Sequence, residues 1–74
     1  MSASYCILER FDEHDSERNH RDAVAFLAMV KHHAKSIRKT CRGAVLRSGT
    51  QGFIVRATIS MPAAVAEQIR KVNP

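Results

Sequence analysis

The apolar residues change their period along the chain, and each change marks an element. "SYCILERF" is a short β-prone run followed by turn-prone polar residues, which predicts a strand over 4–11. "DEHDSERNH" is polar throughout and carries helix-cap candidates at Asp15, Ser16 and Asn19, as expected of a loop running into a helix. From Ala23 onward, apolar residues fall at Ala23, Phe26, Leu27, Val30, Ala34, Ile37 and Cys41. Steps of three and four put these on one stripe of a helix, predicted over 20–40 and about 30 Å long. Gly43 follows where a C-terminal glycine is common.

"GAVLRS" reads as a second strand, and "SGTQG" has the glycines of a tight reversal. "GFIVRATIS" alternates strictly. Phe53, Val55, Ala57 and Ile59 share one face, and Ile54, Arg56, Thr58 and Ser60 share the other. That is a half-buried strand in a hairpin with its predecessor. Ser60 is placed to cap a second helix, with Pro62 in its first turn and Met61, Val65, Ile69 and Val72 as its apolar stripe.

The predicted order is therefore β-α-β-β-α. It implies an α+β fold of two layers: a three-stranded antiparallel sheet with two helices on one face. A right-handed crossover that leaves room for the third strand gives the strand order 1-3-2. This is an incomplete ferredoxin-like fold, lacking the strand that would cover the first strand's outer edge. The edge residues Tyr5, Cys6, Ile7 and Leu8 are then open to an extended partner, from another copy or another protein.

Seventy-four residues make a single small domain over 1–74 whose core is thin. The chain cannot enclose a substrate cavity of its own, so the expectation is a protein that is not an enzyme and has no catalytic residue. The N-terminus has no basic start leading into a long apolar run, and the longest near-apolar run, "AVAFLAMV", is far too short to span a bilayer. A cytoplasmic protein without a membrane partner is expected. In that setting Cys6 and Cys41 are expected as reduced thiols.

Charge is distributed unevenly. Residues 1–22 hold Glu9, Asp12, Glu13, Asp15, Glu17 and Asp22 against Arg10, Arg18 and Arg21, for a net of −3. Residues 23–66 hold seven Lys and Arg with no acid, for a net of +7. Within that stretch "KHHAKSIRKTCR" contains Lys31, Lys35, Arg38, Lys39 and Arg42. On a helix running to residue 40, positions 31, 35, 38 and 42 are spaced i, i+4, i+7 and i+11, so they form a basic ridge beside the buried stripe. The ridge reads in three ways: as a solvated face with stems covering the core edge, as a dock for an acidic protein surface, or as a contact for nucleic-acid phosphate.

Other chemistry lacks a pattern. His32 and His33 are adjacent and diverge by about 100° on a helix, which suits no shared ion. His14, His20 and Cys6 have no ligand spacing, and Asp12, Glu13, Asp15 and Glu17 lack the glycine and terminal glutamate of a calcium loop. No metal and no cofactor is expected. The four aromatics, Tyr5, Phe11, Phe26 and Phe53, offer no evident base-stacking platform.

"SYCILERF", the following helix and "RGAVLRSGTQGFIVRATISMPAAVAEQIRKVNP" together resemble the subtilisin propeptide-like inhibitor family. The matching positions are Tyr5 to Leu8, Gly52–Phe53, Val55 to Ser60, and Val65 to Ile69 with Pro74. The resemblance implies a βαββαβ protease inhibitor or folding chaperone. The family's last strand and protease-entering tail would follow Pro74, and no functional residue carries over.

The leading expectation is a small binding or inhibitory protein using the basic ridge and the open strand edge. Its partner is a protein with an acidic surface or a second copy of itself, as a homodimer. The alternatives are a nonspecific nucleic-acid binder and a propeptide-type protease inhibitor.

Overall fold

The computed structural model describes residues 2–62, together with Ala64 and Glu67. Its elements are β1 (Ser2–Phe11), α1 (Ser16–Ser36), β2 (Cys41–Ser48) and β3 (Gly52–Pro62). The three strands form one antiparallel sheet in the order β1-β3-β2, as the crossover argument requires. The α+β class and the strand order therefore stand. Among the described residues one helix has defined bounds, not two, while Ala64 and Glu67 are themselves in helical conformation.

The expected second helix falls mainly outside the described residues, but its start is corrected. Met61 and Pro62 belong to β3, where they pair with Ala3 and Ser2, so Ser60 is a strand residue and not a helix cap. Met61 is buried against Val30, Ala34, Ala57 and Ile59. Core burial extends the strand past the proline signal, which the end of a strand tolerates.

The helix is also shifted. It begins at Ser16 because Asp15 caps it, its side chain accepting from the Arg18 N–H at 2.9 Å. Glu17 in the first turn favours the positive helix end. The apolar stripe starts only at Ala23, so periodicity alone misses this polar first turn. At the other end α1 stops at Ser36, not 40. Ile37 is the C-cap, and Arg38 adopts a left-handed backbone with φ 60°. The Lys39 N–H closes onto the Ala34 carbonyl at 2.8 Å and the Arg38 N–H onto the Lys35 carbonyl at 3.0 Å.

Gly43 is not the helix terminator. It lies within β2, under the helix, where a Cβ would come within 2.5 Å of Leu27 Cδ1 and 3.0 Å of the Arg56 carbonyl oxygen. Its missing side chain lets α1 approach the sheet. The reversal between β2 and β3 uses Gly49 at φ 72°, a conformation glycine adopts freely.

The core follows the alternation of β3. Val55, Ala57, Ile59 and Phe53 are buried beneath Ala23, Val30 and Ala34 of α1, and the half-buried Phe26 and Leu27 pack against both ends of this layer. The helix lies mainly over β3 and β2. Beside it, Ile7, Phe26, Met29, Val30, His33 and Ile59 line an apolar groove over β1.

One polar side chain is fully inside. Asn19 accepts from the His14 N–H at 3.0 Å through Oδ1, and its Nδ2 donates to the His14 and Gln51 carbonyls at 2.7 Å each. It thus ties the β1–α1 loop to the β2–β3 turn. Of the three cap candidates Asp15, Ser16 and Asn19, Asp15 takes the role.

Candidate interaction surface

The strand registers decide which side chains share the side of the sheet away from α1. Opposed residues lie on one face. Cys6 pairs with Thr58, and Thr58 with Arg42. Leu8 pairs with Arg56, and Arg56 with Ala44. Arg10 pairs with Ile54, and Ile54 with Leu46. Each of these three rows contains one arginine, and each arginine comes from a different strand. Arg42, Arg56 and Arg10 therefore descend the open face as a diagonal.

Successive steps of that diagonal cross one strand and advance two residues, about 8 Å between Cα atoms. At that distance two guanidinium charges repel by about 0.5 kcal/mol in water, and physiological salt screens part of it. No carboxylate interrupts the three rows. To one side lie Leu8, 64% exposed, and Cys6, whose Sγ sits 3.9 Å from Thr58 Oγ1. To the other lie Ala44, Ile54 and Leu46, the last 40% exposed. Near Arg42, the hydroxyl residues Ser4, Thr40, Thr58 and Ser60 line an open depression.

The structure splits the expected basic ridge. Lys31 and Lys35 are exposed on α1, Arg38 and Lys39 sit in the turn after it, and Arg42 lies on β2 facing away from the helix. The early helix stop is the cause: the i+7 and i+11 positions leave the helix before the ridge is complete. Lys39 is half-buried, and the other four are exposed. These residues crowd the α1–β2 corner, whereas Asp12, Glu13 and Asp22 cluster beside Glu9 near the start of α1. Along α1, Asp22 lies about 14 Å from Lys31 and about 20 Å from Lys35, too far for an ion pair, so the acidic cluster leaves its own chain's basic corner unneutralised.

The edge residues divide by face. Tyr5 and Ile7 are half-buried on the helix side, and Cys6 and Leu8 are exposed on the open side. Cys6 and Cys41 are free thiols on opposite faces of the sheet. All four aromatics are turned toward the helix layer: Phe11 packs against Phe26 with ring centroids 5.5 Å apart and planes tilted by 56°, and Tyr5 and Phe53 pack into the core clusters. His20 and the Arg47 guanidinium both contact the Phe53 ring. Among the described residues no group of three or more His, Cys, Asp or Glu could hold a metal ion, and no helix is long and apolar enough to cross a membrane.

Comparison with known proteins gives no match to a family model, to a curated protein or to a solved structure.

Sequence reasoning named Arg42 but missed Arg10 and Arg56 as its companions. The signal was available in the alternation of "GFIVRATIS", which already set Arg56 on the outer face. What was lacking was the register that brings Arg10 and Arg42 to the same side.

Proposed function

We propose that the protein is a small non-enzymatic binding protein that takes an acidic protein surface on the open face of its sheet. The observation carrying this reading is the diagonal Arg42–Arg56–Arg10, whose rows hold no carboxylate, which meets the acidic loop only at its Arg10 end, and which is flanked by exposed Leu8 and Leu46. Arginine is enriched in protein-binding patches, and the exposed Leu8 and Leu46 add apolar area beside it. A base-stacking nucleic-acid platform is disfavoured because stacking needs aromatics on this face and all four are turned to the helix, which leaves phosphate contact as the alternative that the duplex titration separates.

The test compares two double variants of equal net charge. Arg42→Glu/Arg56→Glu reverses the diagonal, and Arg18→Glu/Arg21→Glu makes the same charge change near the start of α1. Labelled polyglutamate and a labelled DNA duplex are titrated at low and moderate salt. The reading predicts that polyglutamate binding is lost only in the Arg42/Arg56 variant and that the duplex binds no more tightly. Equal losses in both variants would reduce the effect to net charge, and tighter duplex binding would favour phosphate as the ligand.

A further inference from the structure

The outer edge of β1 has no strand beside it among the described residues, and it lacks the usual protection of such edges. It contains no lysine and no interior proline, and its ten residues pair with β3 in an unbroken register without a bulge. Its only charges are Glu9 and Arg10, which cancel. The other edge of the sheet differs: β2 carries Arg42 and Arg47 with no acid, so its approach to a copy of itself is repulsive.

We propose that β1 pairs antiparallel with β1 of a second copy, forming a continuous six-stranded sheet centred on Ile7. The two-fold axis of such a pair is normal to the sheet, and directly opposed residues must lie on the same face. Side chains alternate, so only pairings between residues of equal parity are allowed. Full overlap of residues 2 with 11 breaks that rule. The two longest allowed registers centre on Cys6 and on Ile7, and each uses nine of the ten residues.

The Ile7-centred register is favoured by what it places together. Tyr5 faces the second copy's Glu9, so a carboxylate on the helix side gains a phenol donor. Ile7 meets Ile7, and the two apolar grooves lined by Ile7, Met29 and Val30 adjoin at the axis. On the open side Cys6 and Leu8 of each copy form the centre of the joint. The Cys6-centred register instead sets Glu9 opposite Ala3, with no hydrogen-bond partner.

The size of the binding face also points to a pair. Three strands and about 30 Å of strand length give one open face on the order of 400 Å², half of what a standard interface uses per partner. Pairing doubles it and keeps both arginine diagonals on the same side. That consequence rests on the acidic-partner reading, whereas the strand pairing does not.

The test uses the full chain without any acidic ligand, so it is separate from the polyglutamate titration. Sedimentation from micromolar to near-millimolar concentration should show a shift from 8.3 kDa toward twice that mass. Leu8→Lys, at an exposed position, should weaken the shift, because it removes apolar contact with the second copy's Cys6 and sets two lysines about 8 Å apart beside the axis. In a Cys6→Ser/Cys41→Ser background, Ile7→Cys should crosslink under oxidised glutathione, since opposed Cα atoms lie within disulfide reach. Cys6 in the wild type should not crosslink, being offset by two residues and about 8 Å from its copy. A mass that stays monomeric throughout overturns the proposal. So does a dimer insensitive to Leu8→Lys, or one that crosslinks through Cys6 and not through Ile7→Cys.

Discussion

Asn19→Ala removes the only buried polar side chain among the described residues and with it three hydrogen bonds. Each such bond contributes about 1 kcal/mol net, so the expected loss is about 3 kcal/mol. A domain of this length has a total stability of about 4–11 kcal/mol, so the change takes a substantial part of it. Urea unfolding followed by far-UV circular dichroism reads the loss as a lower midpoint at unchanged slope. Asn19→Asp sharpens the test, because an ionised carboxylate can accept from His14 but cannot donate to the His14 and Gln51 carbonyls. Protonation restores one donor, so folding raises the carboxyl's pKa in that variant. A raised folded-state pKa means stability that is present at low pH and lost as pH rises through it. Relative to wild type, the Asn19→Asp deficit should therefore shrink as pH falls from neutrality toward the ordinary aspartate range, about 4. A loss below about 1 kcal/mol in Asn19→Ala, or a pH-independent Asn19→Asp deficit, would refute the claim that Asn19 ties the two loops together.

Three further outcomes follow from named contacts. Arg38→Gly relieves a left-handed penalty of about 1–2 kcal/mol, partly offset by the lost cation at the helix C-terminus; the melting temperature should rise by several degrees while polyglutamate binding is kept. Gly43→Ala should destabilise by about 1–3 kcal/mol in the same urea assay, because the new methyl meets the Arg56 carbonyl as well as the movable Leu27 side chain. Asp15→Ala should lower stability by about 1 kcal/mol, whereas Ser16→Ala should not, which separates the observed cap from its neighbour.

Much of the fold was legible because alternation and helical period are written directly in the residues. Phe53, Val55, Ala57 and Ile59 read as one face and are one face, and the strand order followed from crossover handedness. The helix limits were not legible. Its first turn is polar and rests on Asp15, and its last turn ends on an arginine where glycine is usual. That second surprise dismantled the expected ridge, since Arg38, Lys39 and Arg42 were placed on a helix that had already ended. Gly43 misled for a related reason: a glycine shaped by packing against Leu27 looks, in sequence, like one that stops a helix. The arginine diagonal depended on two registers at once. Single-strand alternation reveals which residues face outward, but not which strands bring them side by side.

We place the acidic partner on the open face of the sheet, and not on the helix. Side-chain Nε–H resonances of the arginines test it most directly, followed by two-dimensional NMR as polyglutamate is added. Binding there should shift Arg10, Arg42 and Arg56 and leave Arg18, Arg21 and Arg47 unmoved. Shifts spread evenly over all arginines, or confined to Arg38 at the helix end, would contradict it.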